Sequence, residues 1–77
     1  GKYKLAPGAL FDIKLQKGQL TAQLTGQQRF AIYAESQTKF FYKVVDAQIT
    51  FVKNKRGKVT ALVLHQLGLD QTAKKIE

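Results

Sequence analysis

Four residues of the sequence have the spacing of a serine nucleophile and its lysine partner. Ser36-Gln37-Thr38-Lys39 fits the S-x-x-K pattern of serine β-lactamases and penicillin-binding proteins, in which one helical turn brings the lysine amine close to the serine hydroxyl. Here the four residues lie between two predicted strands, so we do not expect that helical geometry. Lysines are also abundant, because they make up 11 of the 13 basic residues. We therefore interpret the match as a coincidence.

A hydrolytic triad could also be drawn from the residue types in the chain, because triads are defined by geometry and not by chain order. Its members would be Ser36, His65 and one of Asp12, Asp46 and Asp70. No G-x-S-x-G turn exposes the serine, and so short a chain has little volume for a cleft with an oxyanion hole. His65 is better interpreted as a surface or rim histidine held by a hydrogen bond. We predict no catalytic residues and a chain that is not an enzyme by itself.

Metal and cofactor chemistry is also disfavoured by the composition. The chain has no cysteine and one histidine, which removes thiolate-bound zinc, iron–sulfur clusters and disulfides from consideration. We predict no metal site and no cofactor.

Basic side chains cluster around one predicted turn: Lys53, Lys55, Arg56 and Lys58. With the aromatic run at 40–42, this basic patch raises the hypothesis of nucleic acid binding, because single-strand binders combine aromatic stacking with a basic groove. The chain has no RNP1-like motif, however, and lysines at turns commonly act as solvated charges that prevent edge pairing. We rank nucleic acid last among the partners considered.

Length and composition bound the remaining hypotheses. The chain has 77 residues, which is enough for one domain, and 44% of them are hydrophobic, as in folded proteins. Its net charge of +8 favours anionic partners such as nucleic acid, phospholipid headgroups or an acidic protein face. No apolar run is long enough to span a bilayer, and the first residues do not form a signal peptide.

Apolar and polar residues alternate with a period of two in short segments, which is typical of antiparallel strands. The pattern predicts strands at 3–5, 10–16, 20–24, 29–34, 39–45, 47–51 and 59–66, and we prefer a strand to a helical turn at 71–76. Pro7, Lys17-Gly18 and the segments 34–37 and 54–57 are predicted to be turns. Segment 59–66 is the longest apolar strand, so we expect it to lie centrally, with burial on both faces.

Seven or eight short strands without a helical period predict an all-β fold, a small antiparallel up-and-down meander that curls into a barrel or half-barrel. A barrel of about eight strands is just wide enough for its own side chains or for one small ligand. Its predicted interior is filled by the large apolar residues Phe11, Ile13, Leu15, Leu20, Leu24, Phe30, Ile32, Phe40, Ile49, Phe51, Leu62 and Leu64.

Several blocks of the chain resemble a known bacterial family. They are LTGQ at 24–27, FF at 40–41, DAQITF at 46–51 and GKVTALVLHQ at 57–66, and GKY at 1–3 is similar to the end of the family's opening Tyr-x-Gly-x-Tyr motif. The family is a domain of unknown function attached C-terminally to serine hydrolases of the class C β-lactamase or penicillin-binding-protein type. This chain departs from it at 66–68, where the family often has Gln-Asn-Gly, and at 73–76, where it has Ala-x-Arg-Ile.

The resemblance implies a lipocalin-like β-barrel and a role beside an enzyme. Residues 1–77 would be a single accessory domain from a larger protein of the periplasm or cell envelope, partnered by the upstream serine hydrolase domain of the same polypeptide. An anionic envelope surface is a second candidate partner. The alternative is a module that binds a small ligand or a cell-envelope fragment. Polar groups near strand ends form the candidate contact surface: Thr25, Gln27, His65 and Gln66.

Overall fold

The computed structural model of residues 1–77 contains nine β-strands and no helix, which confirms the all-β prediction. The strands are β1 (Lys2–Ala6), β2 (Ala9–Gln16), β3 (Gln19–Leu24), β4 (Phe30–Ala31), β5 (Tyr33–Ala34), β6 (Lys39–Phe41), β7 (Ala47–Lys53), β8 (Val59–Gln66) and β9 (Leu69–Lys75). Segment 71–76 is therefore mostly strand, as predicted. No helix suited to crossing a membrane occurs in this fold.

The strands form one antiparallel sheet in the order β4-β3-β2-β1-β9-β8-β7-β6-β5. The two ends of this order, β4 and β5, are consecutive in the chain and are separated only by Ile32. β4 pairs with β3 and β5 pairs with β6, while the Ile32 N–H donates to the carbonyl of Leu20 at 2.9 Å. The sheet is therefore a nearly closed barrel. The predicted strand 29–34 is divided at Ile32 into β4 and β5, which explains why nine strands are found and not seven or eight.

The up-and-down path places alternate connections at opposite ends of the barrel. One end, here called the mouth end, carries the connections 7–8, 25–29, 42–46 and 67–68. The other, here called the basic end, carries the connections 17–18, 35–38 and 54–58. This sorting of loops determines which side chains can act together.

Two hairpin turns have the same backbone geometry. Lys17-Gly18 and Leu67-Gly68 both have positive φ at each residue, 50° and 80° in the first and 55° and 75° in the second. Positive φ at both central residues is the signature of the type I′ turn, which matches the twist of antiparallel strands. The predicted turn at Lys17-Gly18 is confirmed.

The core lies inside the barrel and contains most of the predicted side chains. Its buried residues are Tyr3, Phe11, Ile13, Ala22, Ile32, Ala47, Ile49, Leu62, Leu64 and Ala73, with Leu20, Leu24, Phe40 and Phe51 partly buried against them. Phe30 is half-buried. Three of the core residues are alanines, whose small side chains fit where the opposite walls of a narrow barrel come close together. Burial of both Ala61 and Leu62 shows that β8 is covered on both faces, as its sequence indicates.

Two details of the prediction are wrong. Leu15 was expected in the interior, but 71% of it is exposed. The reason is that β1 begins at Lys2, opposite Asp12, so the last residues of β2 extend past it and Leu15 has no core beneath it. The predicted strand 39–45 ends at Phe41, because the following residues turn across the mouth end.

Arg29 fastens the 25–29 connection to the outside of the barrel. One guanidinium nitrogen donates to the carbonyl of Asp12 and to Thr21 Oγ1, both at 3.0 Å, and the other donates to Asp12 Oδ2 at 2.9 Å and to Gln23 Oε1 at 3.2 Å. The single buried polar residue, Thr21, is thus covered by a charged side chain that spans β2 and β3.

Candidate functional site

The mouth end of the barrel opens into a small cavity of about 90 Å³. Its walls are mainly apolar core and rim side chains, and amide side chains stand at the opening. The lining residues are Phe11, Ala22, Leu24, Gln27, Gln28, Phe30, Tyr42, Val45, Ala47, Leu64 and Gln66. Sites for small molecules usually measure roughly 300–1,000 Å³, whereas a dry cavity of about 150 Å³ holds one benzene molecule. The space therefore suits a single aliphatic side chain.

Tyr42 is the one ionisable side chain in the wall of this cavity. Its ring packs edge-on against Phe30, with centroids 6.2 Å apart and planes at 76°. Burial raises the pKa of Tyr42 to about 12, because the phenolate would lose its water. The phenol is therefore neutral at physiological pH and offers one hydrogen-bond donor at the mouth.

Exposed aliphatic side chains lie in two connections of the mouth end. Val44 and Val45 lie in the 42–46 connection, and Leu67 and Leu69 lie at the β8–β9 hairpin; all four are exposed. The two segments are neighbours, since Ala47 of β7 pairs with Gln66 of β8. These four residues are called the aliphatic rim below. Leu67 is 90% exposed and has a left-handed backbone conformation, which costs a non-glycine residue about 1 kcal/mol.

A second polar cluster lies on the outer face of the sheet, where His65 connects two side chains. Its Nε2 is 2.8 Å from Thr50 Oγ1, and its Nδ1 is 2.7 Å from Asp70 Oδ1. The order hydroxyl, imidazole, carboxylate is that of a hydrolytic triad. Thr50 and His65 lie within strands that are paired on both sides, however, so the neighbouring backbone N–H groups are engaged in the sheet and do not converge on an oxyanion position.

Ser36 does not join this cluster. Its Oγ accepts hydrogen bonds from the backbone N–H groups of Lys39 at 3.1 Å and Thr38 at 3.4 Å, which makes it a turn-stabilising residue between β5 and β6. Asp12 is bound by Arg29, and Asp46 lies in the 42–46 connection. Of the triad candidates in the sequence, only His65 and Asp70 are in direct contact, and Asp46 lines the same surface depression.

The four residues of the predicted contact surface do not meet at one site, although His65 and Gln66 line one surface depression together. Gln27 and Gln66 line the mouth cavity together. Thr25 Oγ1 accepts from the backbone N–H of Leu10 at 2.9 Å, so it closes the start of the 25–29 connection. His65 belongs to the outer-face cluster.

The basic patch lies at the opposite end of the barrel from the cavity. All four of its side chains, Lys53, Lys55, Arg56 and Lys58, are exposed. Asn54 orders the turn between them, because its Oδ1 accepts from the backbone N–H groups of Arg56 at 2.9 Å and Lys58 at 3.1 Å. The cations therefore project from a defined turn.

A family model described as Domain of unknown function (DUF3471) matches residues 1–77, which is the whole chain. The chain belongs to this family. No curated protein and no solved structure matches it. Membership in DUF3471 confirms the domain of unknown function that the sequence indicates, while the pairing with a β-lactamase-like hydrolase stays a prediction.

Sequence reasoning missed the most exposed part of the mouth in this DUF3471 domain, the aliphatic rim. Leu67 did carry a signal, because a leucine before glycine in a two-residue turn breaks the preference for asparagine or aspartate there. Val44 and Val45 carried none, because their alternation fits a strand and only the end of β6 at Phe41 exposes them.

Proposed function

We propose that this DUF3471 chain is a non-catalytic accessory domain that docks through its mouth end on a β-lactamase-like serine hydrolase domain of the same polypeptide. The docked domain stabilises the hydrolase or shapes its substrate entrance. The protein acts in the periplasm or cell envelope.

The aliphatic rim is the observation that carries the proposal. Four aliphatic side chains exposed at one end of the barrel lose contact with water when a protein face covers them, and such patches on soluble domains commonly mark interaction sites. The amides of Gln27 and Gln66 beside the rim supply hydrogen bonds for a polar border.

Leu67 is the residue that most favours docking over a purely structural role. Its exposure contributes nothing to the core, and its left-handed conformation is unfavourable for a leucine. A residue that strains its own turn without adding to the core is expected at a functional position. A partner contact would bury the side chain and offset the cost of the strained backbone.

The size of the cavity favours a partner side chain over a free ligand. At about 90 Å³ it is well below the volume that a drug-sized or lipid-like molecule needs. An aliphatic side chain from the hydrolase can enter it. The amides of Gln27 and Gln66 at the opening can then bind the hydrolase backbone beside that side chain. A small-ligand module remains the alternative that the same experiments address.

The test uses the two-domain polypeptide and the Leu67→Asn variant. Asparagine tolerates the left-handed turn, so the isolated variant domain is expected to be more stable by about 0.5–1 kcal/mol and to melt a few degrees higher. Its affinity for the hydrolase domain is expected to fall about tenfold or more, as for a central interface residue. Calorimetric titration and thermal melts measure the two effects.

Val52→Ser is the matched control, because Val52 is also an exposed aliphatic residue but lies at the end of β7 away from the mouth. It should leave the affinity unchanged. The proposal fails if the hydrolase keeps the same turnover and melting temperature when residues 1–77 are deleted. Chemical-shift changes confined to the mouth on adding a small amphiphile, with none on adding the hydrolase, would favour the ligand module.

A further inference from the structure

The basic end carries a group of cations that no acid compensates. Lys17 lies in the β2–β3 turn, and the basic patch surrounds the β7–β8 turn at the same end. All five side chains are exposed, and none has a carboxylate within salt-bridge distance. The end therefore has a strong positive potential.

The acids of the chain are placed so that they leave this potential intact. Asp12, Asp70 and Glu77 are each paired with a base outside the basic patch. Asp46 lies in a connection of the mouth end. Two acids lie at the basic end: Glu35 in the 35–38 turn, and Glu77, which follows β9 and is paired with Lys2 at 3.8 Å. The barrel is thus electrically asymmetric along its axis.

Aliphatic side chains accompany the cations at this end. Leu15 lies between Lys14 and Lys17 on the projecting part of β2, and it is 71% exposed. Ile76 follows β9 and is 51% exposed. Cations interspersed with exposed aliphatic groups are typical of surfaces that bind the interface of an anionic bilayer, where lysines contact phosphates and the aliphatic groups enter the headgroup region.

Nucleic acid fits the same end less well. None of the turns 17–18, 35–38 and 54–58 contains an aromatic residue on which a base could stack. Four of the five free cations are lysines, which act as point charges and lack the planar fork with which arginine recognises bases. The cations also surround the end of a nearly equidimensional molecule of 33 × 29 × 27 Å, and such an end presents a blunt face and not a groove.

We propose that the basic end binds the surface of a bilayer that contains anionic phospholipids. Lys17 and the basic patch contact the phosphate headgroups, and Leu15 and Ile76 enter the interfacial region. This orientation leaves the mouth end pointing away from the bilayer, so membrane binding is independent of docking to the hydrolase.

The experiment is co-sedimentation of the chain with vesicles of phosphatidylcholine, with and without phosphatidylglycerol. Binding is expected only to the anionic vesicles and should weaken as salt rises, because exposed charges are screened over about 8–10 Å near physiological salt. The variant K55Q/R56Q is expected to lower the partition coefficient about 25-fold, since each cation near an anionic surface contributes about fivefold.

The matched control is K4Q/K43Q, which removes the same charge from exposed positions outside the basic end. It should change binding less than about threefold, because distant charges are screened. A second variant, L15S/I76S, should weaken binding to anionic vesicles at high salt, where the aliphatic contribution dominates.

Three results would overturn the proposal. Equal losses in K55Q/R56Q and K4Q/K43Q would mean that net charge alone matters. Equal binding to both kinds of vesicle would mean that headgroup charge is irrelevant. Tighter binding to a DNA oligonucleotide than to anionic vesicles at the same salt would assign the basic end to nucleic acid.

Discussion

Tyr42 shows how strongly one position in the barrel wall controls the chemistry of its side chain. Burial raises the pKa of Tyr42 to about 12 and also raises that of Tyr3, which lies in the core. In both cases the cause is the loss of water around the charged form. A neutral phenol at the mouth can donate a hydrogen bond to a partner without adding charge to the aliphatic rim.

This shift predicts that the domain loses stability in strongly alkaline solution. An unfolded tyrosine releases its proton near pH 10, whereas Tyr42 in the folded state holds it to about pH 12. Between these values the folded state binds more protons than the unfolded state, so stability falls as pH rises. We expect a loss of about 1 kcal/mol, reduced from the full shift by partial solvent contact.

Urea unfolding at several pH values measures this loss. Comparison with Tyr42→Phe isolates the contribution of this phenol: the Phe variant should lose less stability between pH 10 and 12. Identical pH profiles for the parent and Tyr42→Phe would contradict the assignment.

At the scale of the elements, Arg29 fastens the 25–29 connection to the β2–β3 hairpin. Its four hydrogen bonds join the 25–29 connection to β2 and β3. The planar guanidinium can serve all these acceptors at once, and a lysine ammonium on a flexible stem cannot.

We therefore expect Arg29→Lys to destabilise the barrel although it preserves the charge. The loss should be about 2 kcal/mol, because several hydrogen bonds to a half-buried charged group are removed and Thr21 is left less well covered. Lys14→Gln removes the other, more exposed partner of Asp12, 3.6 Å away, and should cost less than about 0.5 kcal/mol. Urea denaturation compares the two variants. A loss in Arg29→Lys as small as that in Lys14→Gln would show that Arg29 acts through its charge and not through its hydrogen-bond geometry.

The sequence predicts most of the strands because each hairpin is local. The alternation in 10–16 and 20–24 and the turn at Lys17-Gly18 together determine the β2–β3 pair. The sequence does not predict that the strand at 29–34 is divided at Ile32. This division depends on the pairing of its first half with β3 and of its second half with β6. The prediction that Leu15 lies inside is wrong for a similar reason. Alternation indicates which face of a strand a residue occupies, but not whether a neighbouring strand covers that face.

The candidate site is less predictable than the fold for a physical reason. The mouth is built from connections far apart in the chain, and only the up-and-down path reveals that they share one end. Gln27 and Gln66 could be proposed as polar groups near strand ends, but their meeting at one cavity depends on the completed barrel.

On the scale of the whole molecule, the asymmetric charge predicts that salt stabilises the domain. The net charge is +8, and five cations at the basic end lack acidic partners. Their mutual repulsion is screened as the Debye length falls from about 30 Å at 0.01 M salt to about 8 Å at 0.15 M. We expect the melting temperature to rise by a few degrees over this range.

Thermal melts in a simple chloride salt measure the effect. The rise should be smaller in K55Q/R56Q than in K4Q/K43Q, because the first pair lies among the other uncompensated cations. A melting temperature that is independent of salt would show that this repulsion contributes nothing to stability.

The first and last strands of the barrel are neighbours, and this has a consequence for how the fold can be rebuilt. β1 pairs with β9, and the N–H of Lys2 donates to the carbonyl of Glu77 at 3.1 Å. A short bridge could link these two positions and new termini could be opened at Gly18 with every strand still beside its present neighbours. Several circular permutations of the sequence are therefore expected to specify the same barrel.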